Sequence, residues 1–393
     1  MTSTNWHIIA AQYPPFHGGV SDYTGLVAED LAKHGQSVNV WTSQREGEHE
    51  VSPGAEKSRN FPIVHRVVPS WKSPKDLQRL SSLLNEFPGP RTLLIQHTPQ
   101  IWGSAGVNLR FPSWVESRSR AGDRIVLMVH EAAYPFSLFD RPTRWPLHAI
   151  HVHILRKLLK SSDQVYVSCE AFQKFIQRYD PRPDRLCSLL PVPSNIPFEN
   201  NQQAVAELRT KLVPSSEMLI GSFAQFGHLM PQEFYEIVAR LLSGSKDRHF
   251  LLIGPRGDAV AEKIAQQYPL LRDRLITTGR LEASSLSIHL QACDLMIQLY
   301  GDGPSTRRGT LMACASHGKA IITGDGHLAD RMWANERCVF LCPNNKVEEI
   351  VNAAEIVLAD SDLRKNLESR AKQVYDRRLA LDHTIQTLIS DAS

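Results

Sequence analysis

The stretch from Trp6 to Thr42, WHIIAAQYPPFHGGVSDYTGLVAEDLAKHGQSVNVWT, decides the fold. Its apolar start at 8–11 predicts a strand, which meets a loop that contains two prolines and two glycines. Apolar residues then recur at helical spacing up to His34-Gly35, and 37–42 predicts a second strand. Strand, loop, helix and strand in this order indicate a β-loop-α-β unit.

Gly18 and Gly19 lie side by side between this strand and helix, and Ser21 or Asp22 is expected to cap the helix. Glycine permits φ > 0 and has no side chain, so nearby amides can turn inward at the positive end of the helix, where an anion is favoured. The two glycines could equally serve only the turn of an ordinary Rossmann-like unit. The pattern is neither Gly-x-Gly-x-x-Gly nor a P-loop, which argues against a dinucleotide fingerprint and against an NTPase.

Short apolar runs alternate with helical patterns along the rest of the chain. The first series lies at 64–68, 92–96, 125–129, 164–168 and 186–190, and the second at 218–223, 250–253, 275–278, 295–299, 320–323 and 338–341. This rhythm predicts an α/β protein with two tandem Rossmann-like, doubly wound domains that face each other across a cleft.

Three prolines between 191 and 197, followed by polar residues, interrupt the rhythm and indicate a linker. The expected divisions are an N-terminal domain at 1–195, a linker at 196–215, a C-terminal domain at 216–375, and a helix at 376–393 that could pack back on the N-terminal domain.

The composition is that of a globular protein, with 393 residues, 42% hydrophobic and 22% charged residues. A formal charge of +3 gives no support to nucleic-acid binding. Neither a basic, apolar leader nor an apolar run of roughly 20 residues is present, so we expect a cytoplasmic chain without a transmembrane segment. The six cysteines form no Cys-x-x-Cys pair and are expected to be buried free thiols.

The strongest chemical signal in the second half is Tyr300-Gly-Asp-Gly-Pro-Ser-Thr-Arg-Arg-Gly-Thr310, which follows a strand and opens a helix. Ser305 or Thr306 is the expected N-cap, which would put Arg307 and Arg308 in the first turn, where each cation opposes the helix dipole by about 0.3 to 1 kcal/mol. A diphosphate would compensate this charge. Alternatively, the arginines point to solvent or pair with a carboxylate such as Asp302.

Five sequence motifs follow one another along the chain in an order that is typical of one enzyme family. They are Pro14-Pro15-x-x-Gly18-Gly19-x-x-Asp22-Tyr23, Leu-Ala-Lys-His-Gly35, His130-Glu131 after a strand, Thr278-Gly279-Arg280-Leu281, and 294–318 leading into Lys319-Ala-Ile-Ile-Thr323. Together they resemble the retaining nucleotide-sugar glycosyltransferases of family four, which have the glycosyltransferase-B fold. The resemblance covers nearly the whole chain.

The chain departs from this family's pattern at two places. Two glutamates that hold the donor's sugar and ribose in the family correspond here to Ser305 and Ala313. The family's Arg and Lys after the first strand of the second domain are replaced by residues 222–228, Ser-Phe-Ala-Gln-Phe-Gly-His. Arg307, Arg308 and Arg256 are the candidate replacements for these cations.

The resemblance implies transfer of a hexose-type sugar from a nucleoside diphosphate to a hydroxyl acceptor with retained configuration, in bacterial glycan or exopolysaccharide synthesis. The departing phosphate oxygen would take the acceptor's proton, so no protein nucleophile is required. His130 would hydrogen-bond the transferred sugar, or it is a packing histidine at a strand end; Glu131 is an acceptor-side base or a cap. The expected donor-binding residues are Gly18, Gly19, Ser222, Arg256, Arg280, Leu281, Gly303, Ser305, Thr306, Arg307 and Arg308.

No cofactor or metal is expected, because the candidate loops hold no cluster of oxygen ligands, and His148, His151 and His153 do not share one helical face. The apolar residues 135–139 with Trp145 could contact a lipid-linked acceptor at the inner face of the plasma membrane, or belong to the core. The missing glutamates leave two alternatives: a catalytically silent protein that binds a nucleotide sugar or a partner, and an epimerase of the same fold. The base, the sugar and the acceptor stay open.

Overall fold

The computed structural model describes residues 4–16, 18–44, 60–133, 145–182, 184–185, 187–227 and 230–392. The chain divides into two compact units, Met1–Pro191 with Leu381–Ser393, and Val192–Ala380.

The first unit contains a parallel sheet in the order β3-β2-β1-β4-β5-β6-β7. Its strands are β1 (Asn5–Ile9), β2 (Ser37–Ser43), β3 (Ile63–Val68), β4 (Arg91–His97), β5 (Arg124–Val129), β6 (Gln164–Val167) and β7 (Cys187–Leu189). The helices that follow these strands are α1 (Gly19–Lys33), α2 (Pro74–Asn85), α3 (Arg110–Arg120), α4 (Trp145–Ser161) and α5 (Glu170–Tyr179).

The interior strands of this sheet are buried along nearly their whole length. In β5, RIVLMV, five of the six residues are buried, because helices cover both faces of a parallel sheet. Tyr23, Val27 and Leu31 recur every four residues along α1 and are all buried, which gives this helix one apolar face.

The second unit has a parallel sheet in the order β10-β9-β8-β11-β12-β13. Its strands are β8 (Met218–Phe223), β9 (Arg248–Ile253), β10 (Leu275–Gly279), β11 (Leu295–Ile297), β12 (Ile321–Gly324) and β13 (Phe340–Cys342). Its helices are α6 (Gln202–Leu212), α7 (Glu233–Gly244), α8 (Gly257–Gln267), α9 (Ala283–Ala292), α10 (Gly309–Ser316), α11 (Arg331–Glu336), α12 (Val347–Ala359) and α13 (Ser361–Arg378). The last helix of the chain, α14 (Leu381–Ala392), belongs to the first unit, where it contacts α1.

Both sheets are doubly wound, and each has one point where the strand order reverses. That point lies between β1 and β4 in the first unit and between β8 and β11 in the second. In open parallel sheets, ligands bind beyond the carboxyl ends of the strands at this point. The fold therefore directs attention to the loops that follow these four strands.

Two further expectations concern the chain as a whole. All six cysteines are buried and free, as predicted. Within the described ranges, no helix is both long enough and apolar enough to cross a bilayer.

Candidate functional site

The loop between β11 and α10 brings two arginines onto one carboxylate. Arg307 Nη2 lies 2.8 Å from Asp302 Oδ2, and Arg308 Nη2 pairs with Asp302 Oδ1. The guanidinium carbon of Arg308 also lies 5.0 Å from the centre of the Tyr300 ring, a cation–π distance. Pairing with Asp302 was one of the two interpretations of these arginines, and the structure shows it. Binding of a diphosphate by the same side chains remains a prediction.

The helix after this loop begins later than the sequence pattern indicates. α10 starts at Gly309, Arg308 occupies the N-cap position, and no side chain caps the helix. The predicted N-cap at Ser305 or Thr306 is therefore wrong, because a tight turn, closed by Arg308 N–H donating to Ser305 O at 2.9 Å, precedes the helix. Both arginines lie just before the first helical turn, still close to the positive end of the dipole.

The same loop is held by the loop that follows β12. Gly303 has a φ of 94°, and a Cβ at this position would lie 2.7 Å from Gly326 N. Leu328 N donates to Asp302 O at 2.8 Å, and Asp330 N donates to Pro304 O at 2.9 Å. These two backbone hydrogen bonds and the glycine contact fix where Asp302 stands.

Asp330 and Gly326 take part in the site and were missed in the sequence. Asp330 is almost fully buried, and its Oδ2 accepts a hydrogen bond from Thr306 N. The available signal was the Gly-Asp-Gly at 324–326, which immediately follows an apolar strand. A glycine there marks a close backbone approach, although the sequence does not name the partner.

The loop after β8 lies on the other side of the same reversal point. Ser222 is buried, and its hydroxyl donates to Gln298 Oε1 at 3.3 Å, which ties the end of β8 to the end of β11. Arg256 precedes α8 with a left-handed φ of 64° and is exposed. A Cβ at Gly227 would lie 3.1 Å from Arg256 Cζ, so the guanidinium group lies over the loop after β8. Residues 228 and 229 of this loop lie outside the described residues.

Arg280 and Leu281 follow the edge strand β10 and stand apart from this group. β10 is three strands away from β11, which is about 14 Å at the usual strand spacing of about 4.8 Å. Arg280 is exposed, whereas Leu281 packs against an apolar cluster. These two residues could contact only a remote part of a donor that is bound at Arg307 and Arg308.

In the first unit, Gly18 and Gly19 have conformations that other residues could adopt. Gly18 is extended, with a φ of 166°, and Gly19 is the first residue of α1. Among the described residues, a Cβ at Gly19 would meet no atom within 4 Å, and one at Gly18 would meet only Gln12 Oε1 at 3.8 Å. Gly18 therefore does not use the left-handed conformation that glycine permits. The expected cap at Ser21 or Asp22 is wrong, because Gly18 is the N-cap and no side chain caps the helix.

His130 lies immediately after β5 and is almost fully buried. Its Nε2 lies 2.7 Å from Gln96 Oε1, and the ring of Tyr23 packs edge-on at 4.7 Å. Burial lowers the pKa of His130 to about 3, so the ring is neutral at neutral pH and Nε2 donates to the amide oxygen. These surroundings are those of a packing histidine, and a hydrogen bond to a sugar remains a prediction.

Glu131 and two neighbours form a polar group at the ends of β4 and β5. Thr98 Oγ1 donates to Glu131 Oε2 at 3.3 Å, and Glu131 is half-buried. His97 is buried, and neither of its ring nitrogens has a hydrogen-bond partner among the described residues. Burial lowers the pKa of His97 to about 3, with a smaller contribution from His130. Sequence reasoning missed His97 and Gln96, although two polar residues in succession at the end of an apolar run were a usable signal.

Two predictions remain untested: the apolar acceptor contact at 135–139 with Trp145, and donor binding without a metal. The apolar residues 135–139 lie outside the described residues, whereas Trp145 at the start of α4 is 40% exposed. Across the part of the chain that the structure describes, no group of three or more His, Cys, Asp or Glu side chains could hold a metal ion. Metal-independent donor binding is still a prediction.

Comparison with protein families finds a similarity within the first unit. Residues 18–190 match the model of a glycosyl transferase 4-like domain. No curated protein matches the chain.

Solved structures identify the fold of the whole chain. Sucrose-phosphate synthase from Thermosynechococcus elongatus superposes with a TM-score of 0.70 at 14% identity, covering 98% of each chain. HepE from Anabaena, in complex with UDP and glucose, gives 0.69 at 14% identity over 99% of each chain. WaaG, a glycosyltransferase involved in lipopolysaccharide biosynthesis, gives 0.63 at 16% identity over 98% of each chain. The predicted glycosyltransferase-B fold and the predicted resemblance to family-four glycosyltransferases are confirmed, and the predicted class of enzyme agrees with both.

Against this background, the two positions where the resemblance implied glutamates are informative. Ser305 and Ala313 are both fully buried, and Ala313 packs in an apolar cluster on one side of the second sheet. A glutamate at Ala313 would place a carboxylate among apolar side chains, which is costly without a partner. This glycosyltransferase-like chain is therefore packed around small residues at both positions.

Proposed function

We propose that this chain is a retaining glycosyltransferase that moves a hexose-type sugar from a nucleoside diphosphate sugar to a hydroxyl acceptor, in bacterial glycan or exopolysaccharide synthesis. One observation carries the proposal. Arg307 and Arg308 stand together in the loop after β11, at the reversal point of the second sheet, and share the single carboxylate of Asp302. One carboxylate offsets one of their two positive charges.

A diphosphate suits this loop for reasons of charge and shape. Guanidinium groups form paired, planar hydrogen bonds with phosphate oxygens, and the amino end of α10 favours a negative charge. Arg256 adds a third cation over the loop after β8. The Anabaena neighbour has been solved with UDP and with UDP-glucose, which supports a nucleotide sugar as the donor.

The chemistry follows from where charge develops. When the bond between sugar and diphosphate breaks, negative charge grows on the leaving phosphate, and Arg307 and Arg308 would stabilise it. The leaving phosphate oxygen takes the acceptor's proton, so the proposal needs no protein nucleophile. His130, which is neutral because its burial lowers its pKa, can exchange hydrogen bonds but carries no charge at neutral pH. Glu131 is proposed on the acceptor side, where it would accept a hydrogen bond from the acceptor hydroxyl and orient it while the proton goes to the leaving phosphate oxygen; its alternative role is a cap.

Three further parts of the proposal stand on the sequence alone. Donor binding is proposed to need no metal, the enzyme is placed in the cytoplasm, and a lipid-linked acceptor would bring it to the inner membrane face. Transfer with and without a chelator tests the first part. Activity that is lost in chelator and returns with Mg²⁺ or Mn²⁺ would contradict it.

A second candidate function has its own supporting observation. With Ser305 and Ala313 in place of the glutamates, both buried, the chain could bind a nucleotide sugar or a partner enzyme without turnover. Binding without transfer to any hydroxyl acceptor, and without isomerisation of the donor, would support this silent protein. An isomerised donor formed without acceptor would support an epimerase instead.

The experiment that tests the main proposal is a thermal-shift panel of UDP, GDP, ADP, CDP and dTDP and their common sugars. A ligand at about 100 times its Kd adds about 2.7 kcal/mol to the folded state, which raises the Tm by several degrees. The nucleoside diphosphate that raises the Tm identifies the nucleobase of the donor. Turnover of the corresponding nucleotide sugar with simple glycoside acceptors then tests transfer. A panel with no shift at saturating concentrations would overturn the proposal.

A further inference from the structure

Asp302, in the loop at 300–310, pairs with the two proposed diphosphate-binding arginines and does not itself contact the donor in the proposed transfer. Asp302 carries the carboxylate that meets both arginines, and it is the residue whose position the surrounding backbone fixes most directly. We infer that Asp302 is a positioning residue, which holds the guanidinium groups of Arg307 and Arg308 in the arrangement that receives a diphosphate. This inference rests on the proposed function.

The pairing geometry leaves donors available. Each carboxylate oxygen of Asp302 takes one guanidinium nitrogen, Oδ2 from Arg307 and Oδ1 from Arg308, so neither arginine is paired side-on. A guanidinium group has five N–H donors. Arg308 Nε is buried and has no hydrogen-bond partner among the described residues. The Asp302 contact therefore orients Arg308 without using its remaining donors.

A second contact limits how Arg308 can move. Its guanidinium carbon lies 5.0 Å from the centre of the Tyr300 ring, while its Nη2 is held by Asp302. The Tyr300 hydroxyl is itself hydrogen-bonded to Thr310 Oγ1, at 2.8 Å. The guanidinium group of Arg308 is thus held at one edge by Asp302 and over one face by Tyr300, which restricts its rotation. Because little conformational freedom remains, less entropy is lost when an anion binds.

The carboxylate is held in turn by its backbone. Asp302 O accepts from Leu328 N at 2.8 Å, and Gly303 N donates to Tyr300 O at 3.1 Å. A Cβ at Gly326 would lie 2.5 Å from the carbonyl carbon of Asp302, so the two loops touch at the backbone. Asp302 is thus the fixed point of the group, and the long arginine side chains are the parts that need orienting.

Electrostatics points the same way. Two guanidinium groups on adjacent residues repel each other and the positive end of α10. The carboxylate between them offsets part of this repulsion in the unliganded protein and keeps both groups in one place. A guanidinium group held at one nitrogen still presents its other N–H donors, which suits the oxygens of a diphosphate.

The test is Asp302→Asn, which keeps the shape and removes the charge. Calorimetry with UDP, GDP, ADP, CDP and dTDP, each beside its monophosphate, should show about a tenfold loss of affinity for the diphosphate that binds and a smaller loss for its monophosphate. General damage to the unit would lower both affinities equally. Asp302→Glu should recover part of the loss. Glu262→Gln, which breaks the exposed Arg272–Glu262 pair in the same unit, is the matched control and should change neither affinity.

A double variant separates the possible outcomes. If Asp302 acts through the arginines, Asp302→Asn should cost little more affinity once Arg308→Ala is present, whereas independent roles would add. Unchanged or higher diphosphate affinity in Asp302→Asn, or fully additive losses, would overturn the inference. Unchanged affinity in Arg307→Ala and in Arg308→Ala would instead overturn the proposed donor site itself.

Discussion

Two glycine pairs, one in each unit, stand in candidate loops for different reasons. Gly303 and Gly326 are demanded by the fold, because Gly303 has a φ of 94° and its absent Cβ would lie 2.7 Å from Gly326 N. Gly18 and Gly19 are not demanded by the described fold, because neither has a left-handed φ and a Cβ at Gly19 would meet no described atom within 4 Å. Packing between two loops therefore fixes the conformation of the second unit's loop, whereas no described contact of this kind requires a glycine at the first unit's turn.

The difference separates folding from binding. Glycines that the fold requires should affect stability when replaced. Where the fold does not require a glycine, the close approach of a ligand is the remaining reason for it. Replacing such a glycine should affect function and leave stability nearly unchanged. Four predictions test this contrast, and the first concerns how the stability of the units depends on pH.

Among the described residues, the first unit buries five histidines (His7, His65, His97, His130 and His151) and the second buries His317, and this difference gives the largest expected effect. Burial, together with Arg91 at His7, lowers the pKa values of His7 and His97 to about 3 and that of His65 to about 4, and His130 behaves likewise. Because these folded values lie below the unfolded value of about 6.5, the stability is complete above that pH and is lost as the pH falls towards 3. Each histidine should lower the free energy of unfolding by about 1.4 kcal/mol per pH unit in this window.

Urea unfolding at pH 8, 6 and 5 measures this slope. Tryptophan fluorescence follows mainly the first unit, because only Trp333 of the seven tryptophans belongs to the second. His97→Phe removes no described hydrogen bond and should make the slope shallower. A stability that does not depend on pH between 6.5 and 5 would contradict the assignment of neutral buried histidines.

Gly303→Ala should give the largest effect of any single substitution. A positive φ for alanine and a backbone contact that cannot relax together predict a loss of about 2 to 4 kcal/mol in the free energy of unfolding. Gly301→Ala is the control in the same loop, because a Cβ there would meet nothing within 4 Å. Urea unfolding followed by far-UV circular dichroism measures both variants. Equal stability of the two would show that the Gly303–Gly326 contact does not constrain the loop.

Arg307→Ala and Arg308→Ala test the anion site in that constrained loop. Loss of a charge-assisted hydrogen bond predicts a ten- to hundredfold weaker nucleoside diphosphate, and Lys should rescue poorly because it lacks the planar fork. The unfolding free energy should change by less than about 1 kcal/mol, because Asp302 keeps its other arginine partner. Calorimetry decides the matter, with Arg272→Ala as an exposed control in the same unit.

These contrasts also explain what the sequence could and could not predict. The strands were predictable because both faces of a parallel sheet are covered, which turns β5 and its neighbours into continuous apolar runs. The start of α10 was not, because the contact between Gly303 and Gly326 joins loops that are distant in sequence. His97 was missed for a similar reason: only the fold shows that a single histidine at a strand end is buried without a described partner.

The open turn in the first unit gives the prediction with the smallest expected effect on stability. Gly19 is the first residue of α1, and alanine there should leave the free energy of unfolding unchanged or raise it by up to about 1 kcal/mol, since alanine favours a helix. If a diphosphate or an acceptor approaches the backbone at this turn, the added methyl group should lower kcat/KM at least about tenfold, which is about 1.4 kcal/mol. Gly18→Ala should lower kcat/KM in the same way, because the extended backbone of Gly18 accepts any residue, but its stability should fall slightly, because alanine is a poorer N-cap than glycine. Steady-state transfer assays and urea unfolding of both variants provide the two readouts. A variant that loses more stability than this would mean that the fold does require these glycines, and a variant with unchanged kcat/KM would remove the turn from the site.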